Sequence, residues 1–142
     1  MKALPATVWG QPYFVGFVLG YMEVVVLDVA GDKATPEFMA DVKTDVLFAL
    51  ASHDAPSTAR LVALWHEQRE PQYAEGRANG AFIASFLRGS READATELAA
   101  AAFTAARERA PVFDRLLAKT NERGRAAMIL TDALFFDKIS EL

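Results

Sequence analysis

With 142 residues, 52% of them hydrophobic, the chain is long enough to bury a core without staples, and it reads as a single helical domain over residues 1–142. A net charge of −4, with basic residues interleaved among acids as in Arg107-Glu108-Arg109, provides no concentrated basic face for phosphates, so nucleic-acid binding is disfavoured. The absence of cysteine excludes disulfides, thiolate metal sites and cysteine catalysis.

Residues 1–11 read as an irregular lead-in punctuated by Pro5 and Gly10, with Lys2 its one basic residue. No short basic–apolar–small secretion signal is apparent, and a cytoplasmic protein is expected. The most apolar stretch follows, Tyr13 to Ala30, with Glu23 and Asp28 its only charges. It is nearly long enough to span a membrane, but a mid-helix carboxylate is costly in lipid, so membrane insertion is disfavoured. The preferred reading is a buried central helix, apolar nearly all round. A strand over Glu23 to Val29 is the rival, because Val24, Val25 and Val26 are β-branched.

Gly31 and Asp32 fit a helix stop. Thr35-Pro36-Glu37 then supplies a cap, a first-turn proline and a first-turn acid for a helix to about Ser52, with Phe38, Val42, Val46 or Leu47, and Leu50 on its apolar face. Asp54 is a plausible cap for a third helix carrying Leu61, Val62, Leu64 and Trp65 and ending before Pro71. A fourth helix starts at Pro71 or Gln72, polar first and apolar after Ala81, with Gly89 as its stop. Ser90 or Asp94 can cap an alanine-rich fifth helix, and Asp94-Ala95-Thr96-Glu97 has capping-box spacing. Pro111 opens a sixth that Gly124 should end, and a seventh runs from about Arg125 to Ile139 with Met128, Leu130, Leu134 and Phe135 on its core face. The fold expected is a compact all-α bundle of six to seven helices. Phe48 to Glu67 aligns without gaps on Phe103 to Glu122, with eight of 20 positions identical, which raises an internal duplication of a helix–turn–helix unit.

No catalytic residue, cofactor or metal site is expected. His66 and Glu70 share a helix face, but a metal site needs three or four ligands, and a solvated helix end explains them better. The motifs of nucleotide binding and of hydrolytic triads are absent. Glu23 is the residue to watch: it is at an exposed edge, paired with an arginine, or held in a pocket. Tyr73, Glu75, Arg77 and Asn79 form the polar half of the fourth helix. There Gly76-x-x-x-Gly80 repeats the spacing of Gly16-x-x-x-Gly20. Glycine inside a helix costs about 1 kcal/mol relative to alanine, so four such glycines imply that the two helices touch. Alternatively, they open a groove that admits a ligand or partner.

Three segments, Phe17-Val18-Leu19-Gly20-Tyr21, Leu50-Ala51-Ser52-His53 and Ala59 to Leu64, together resemble the small helical immunity proteins of the amidase-immunity family. The resemblance covers less than half the chain. That family is usually exported and cysteine-bearing, and this chain reads as neither.

The function expected is that of a small non-catalytic protein-binding module, an inhibitor of immunity type or an adaptor, whose ligand- or partner-binding residues include Glu23, Tyr73, Glu75, Arg77 and Asn79. The alternative is a small-molecule-binding protein or enzyme with a pocket between helices near Glu23. A protein partner is expected under the first reading, and a homodimer is compatible with either.

Overall fold

A computed structural model describes residues 6–51, 55–89 and 91–141. The fold is all-α: seven helices have five residues or more, and no strand occurs among the described residues. After a 3₁₀ turn over Ala6–Gly10 come α1 (Pro12–Ala30), α2 (Pro36–Ala51), α3 (Ala55–Glu67) and α4 (Pro71–Leu87). The short α5 (Arg91–Asp94), α6 (Glu97–Arg109), α7 (Phe113–Leu117), α8 (Arg123–Thr131) and α9 (Asp137–Ile139) follow. A π-helical stretch, Asp132–Phe136, joins α8 to α9. The chain forms two compact units, Met1–Ala81 and Phe82–Leu142, and α4 contributes residues to both.

In the first unit, α1 is one helix throughout, so the strand reading of Glu23 to Val29 does not hold. Gly31, at φ +54, ends it as expected. Thr35 caps α2 by accepting from the Phe38 backbone N–H at 3.2 Å, and Pro36 opens the helix. The burial of α1 differs from the expectation of an all-round core helix. Tyr13 to Met22 is largely buried, whereas Leu27 and Val29 are exposed, Val29 by 78%. By length and composition α1 could cross a membrane.

The buried half of α1 packs on α4 through glycine. A Cβ on Gly16 would overlap the Tyr73 carbonyl oxygen, and one on Gly20 the Arg77 carbonyl oxygen. A Cβ on Gly76 would overlap the Tyr13 carbonyl oxygen, and one on Gly80 that of Phe17. Advancing four residues on α1 advances four on α4, so the two helices run parallel. Each facing carbonyl belongs to the residue three before a glycine of its own helix, which makes the crossing pseudo-symmetric. Glycine is required here because only a missing side chain lets backbones meet, and the facing carbonyls then accept weak Cα–H hydrogen bonds.

The expected apolar face of α2 is not a buried stripe. Only Leu47 and Ala51 are buried, and Phe38 and Leu50 are exposed. The expected cap at Asp54 lies outside the described residues.

The second unit is held by aromatic packing. Phe103 lies 5.9, 6.0 and 5.5 Å from the rings of Phe82, Phe86 and Phe113. The cap of α6 is Thr96, which accepts from the Ala99 N–H at 3.1 Å, rather than Asp94, and Ser90 lies outside the described residues. Asp94 instead binds Arg123 at 2.8 Å, and the Arg123 guanidinium stacks 3.8 Å over Phe86. Gly124 lies inside α8 rather than ending a helix, and Met128, expected in the core, is 68% exposed.

The internal duplication is not confirmed. Its aligned segments fall on helices of unequal length, 13 residues for α3 and five for α7. Phe48 is exposed where its counterpart Phe103 is buried.

Two glycine substitutions should have opposite effects. Gly80→Ala forces a methyl into a backbone carbonyl and should lower stability by about 1–3 kcal/mol. Gly124→Ala, with nothing within 4 Å of the new methyl, should raise it by about 0.5–1 kcal/mol. Urea denaturation of both variants, read against the unsubstituted protein, checks the pair.

Candidate functional site

The glycine crossing decides where the polar residues of α1 and α4 go. Arg77 lies beside Gly20, and one turn further along α1 stands Glu23. A single Arg77 nitrogen, Nη2, donates to both Glu23 oxygens, at 3.0 and 2.8 Å. Lys43 of α2 reaches the same carboxylate, Nζ to Oε1, at 2.6 Å. Burial alone would raise the Glu23 pKa. The hydrogen bonds and charges of Lys43 and Arg77 outweigh it and hold the carboxyl below its ordinary value. Arg77 is correspondingly shifted up, because Glu23 overcomes the effect of its own burial. Of the settings foreseen for Glu23, the arginine pair is the one found. The carboxylate stays ionised at neutral pH and has no proton to give.

The other expected site residues divide between two places. Tyr73 is buried beside Arg77, whose guanidinium lies 5.8 Å from the Tyr73 ring centre, and it also packs on Trp65 at 5.8 Å. Asn79 is buried elsewhere on α4, donating from Nδ2 to the Tyr13 hydroxyl at 2.9 Å. Glu75 is exposed. Glu23, Tyr73 and Arg77 therefore form one cluster. Asn79 belongs to a second with Tyr13, and Glu75 lies outside the first.

The turn between α3 and α4 sets the orientation of Tyr73. Arg69 takes φ +53, and the Glu70 N–H bonds back to the Trp65 carbonyl at 2.9 Å, closing α3. The Glu70 carboxylate then caps α4 by accepting from the Tyr73 N–H at 2.8 Å.

The cluster borders a groove of about 340 Å³ formed by α1 to α4 within the first unit. Leu19, Leu47 and Val62 give it apolar walls, and Lys43, Tyr73 and Arg77 bring polar atoms to it. His66, exposed, stands at its edge, where a neighbouring hollow is lined by Trp65, Arg69 and Glu70. No group of three His, Asp or Glu side chains suited to a metal occurs among the described residues.

Three arginines near turns of the second unit are engaged with acids. Arg107 binds Asp114 at 2.7 Å and Arg125 binds Glu122 at 3.3 Å. Arg109 pairs with Asp137 and lies 3.6 Å from Asp132.

Sequence reasoning missed Tyr13 and Lys43. For Tyr13 a signal existed: Tyr13-x-x-Gly16-x-x-x-Gly20 and Tyr73-x-x-Gly76-x-x-x-Gly80 share one pattern, so the two tyrosines are counterparts across the crossing. Lys43 had no such signal, because it reaches Glu23 only once α2 has folded back.

No family model matches the chain, and neither a curated protein nor a solved structure matches it significantly. The resemblance to immunity proteins thus gains no support from a family match.

Two titrations test this electrostatic picture. Glu23, with its lowered folded pKa, contributes stability above the ordinary carboxylate pKa and loses it as pH falls through the folded value. Glu23→Gln should therefore cost on the order of 1 kcal/mol at pH 7, kept small by partial solvation, and the difference should vanish in acid. Denaturant midpoints from pH 7 down to pH 2 measure it. Burial pushes the Tyr13 hydroxyl up to about 12, against the opposing Asn79 hydrogen bond. Its contribution is intact below the ordinary tyrosine value of about 10 and is lost as pH rises through the folded one. Alkaline difference absorbance should show one tyrosine ionising near 12, and Tyr13→Phe should remove that step.

Proposed function

We propose that this chain is a non-catalytic protein-binding module, an inhibitor of immunity type or an adaptor, that holds its partner on the apolar surface of α2 and the end of α1. The observation that carries the reading is the poor burial of an apolar helix. Of Phe38, Met39, Val42, Val46, Leu47, Phe48 and Leu50 on α2, only Leu47 is buried, and Phe48 is 66% exposed. Leu27 and Val29 add exposed apolar area from α1, and Leu64 from α3. Single apolar residues on a surface are ordinary; a helix with Phe38, Phe48 and Leu50 exposed and Met39, Val42 and Val46 only half-buried marks a contact surface. The state of Glu23 supports the non-catalytic part, since a carboxylate engaged by two cations is poorly placed for proton transfer. The proposal keeps the cytoplasmic location expected from the sequence.

The test is capture from native lysate by the tagged chain and by its Phe48→Ser and Val29→Ser variants, with unchanged melting temperature as the check on folding. The expected result is one stoichiometric protein partner whose recovery falls at least tenfold with either variant. Equal recovery by all three chains would overturn the assigned surface. Recovery of no protein, with a Phe48-dependent dimer in sedimentation equilibrium, would overturn the foreign partner in favour of a second copy of the chain.

A further inference from the structure

The pseudo-symmetry of the glycine crossing breaks at one informative pair. In the shared pattern, the position of Asn79 on α4 corresponds to that of Leu19 on α1. Asn79 gives the Tyr13 hydroxyl its hydrogen-bond partner. Leu19 can give none to Tyr73. Among the described residues the Tyr73 hydroxyl makes no hydrogen bond, and both Tyr73 and Leu19 line the groove.

The other polar groups at the groove have the same character. Arg77 uses only Nη2 on Glu23, and its Nε and Nη1 donate to nothing among the described residues. Lys43 spends one contact on Glu23 and keeps two further N–H donors. Burial, stronger than the opposing charge of Arg77, raises the Tyr73 pKa, so its hydroxyl remains a donor at neutral pH. The free donors of Lys43, Tyr73 and Arg77 thus outnumber the side-chain acceptors of the lining, the His66 imidazole and the Thr44 hydroxyl, which donates to the Ala40 carbonyl. The groove's fixed charge is two cations against the single carboxylate of Glu23, which leaves one net positive charge. Leu47, Val62 and Ala63 give it apolar wall, and Thr44 and His66 complete its polar lining. The volume, about 340 Å³, falls at the small end of ligand pockets, which span roughly 300–1,000 Å³.

We propose that this groove binds a small monocarboxylate with an apolar body, the carboxylate meeting Lys43, Arg77 and the Tyr73 hydroxyl and the body lying on Leu47, Val62 and Ala63. A monoanion balances the one uncompensated charge. A dianionic phosphate would leave excess charge against apolar walls, and a neutral amphiphile would leave the free donors unpaired. Glu23 is a positioning residue: it holds the two cations side by side without cancelling both. The site is separate from the α2 surface assigned to a protein partner, and its test does not depend on that assignment.

The experiment is a nitrogen-15 NMR titration of the full chain with octanoate, octanamide and inorganic phosphate. Octanoate should give saturable shifts at the amides of Lys43, Thr44, Leu47 and Arg77, with octanamide and phosphate at least tenfold weaker. Lys43→Gln should weaken octanoate binding fivefold or more. Val62→Trp, which fills the groove, should abolish it while the spectrum remains that of a folded chain. Octanamide binding as tightly as octanoate would overturn the role of charge, and phosphate binding as tightly would overturn the ligand class. Octanoate binding that survives Val62→Trp, or no saturable shift at all, would overturn the site.

Discussion

The contact on which the N-terminal unit depends is backbone against backbone. Where α1 and α4 cross, no side chain intervenes: the carbonyls of Tyr13 and Phe17 occupy the space that side chains at Gly76 and Gly80 would fill, and those of Tyr73 and Arg77 do the same at Gly16 and Gly20. Four glycines inside helices sacrifice helix propensity, roughly 1 kcal/mol each relative to alanine. The compensation is close packing along two buried helix faces, with weak Cα–H hydrogen bonds added. The polar pairs that α1 and α4 share follow from how near these two axes come.

Two consequences lie on different sides of the crossing. On one, the approach seats Asn79 against the Tyr13 hydroxyl, a buried pair that satisfies both groups. On the other, it seats Arg77 against Glu23, and α2 adds Lys43. A half-buried carboxylate with two cations is compensated in charge, and the two pairings outweigh the cost of its burial. The pairing also fixes where α2 meets α1. Beyond it α1 runs outward into Leu27 and Val29, which have no cover. A fully apolar crossing would have been as tight, but it would have left no polar groups facing the groove.

Much of the helix plan was legible because caps are local. Thr35-Pro36, Pro71 and Gly89 each act on their own segment, and each does in the structure what its chemistry implies. The contact between the two glycine pairs was legible too, since glycine at a four-residue spacing has few other uses inside a helix. Burial was not legible. Phe38, Leu50 and Met128 are placed at core spacing yet lie exposed, because which face a helix hides depends on the neighbours that arrive beside it. Gly124 was misread as a stop because a glycine in a helix's first turn carries the same local signal as one just past its end. The partners of Glu23 lie 20 and 54 residues away, beyond the reach of any periodicity, and only the fold brings them together.

The central claim is that α1 and α4 meet backbone to backbone at their four glycines, and interhelical nuclear Overhauser effects test it most directly. With the glycines carbon-13 labelled, the α-protons of Gly76 should show strong cross-peaks to Tyr13 and Phe17, and those of Gly80 to Phe17 and Tyr21. Strong interhelical peaks at all four glycines are the result the account predicts. Glycine α-protons that see only their own helix would mean that side chains separate the axes, and the crossing, with the site built on it, would be wrong.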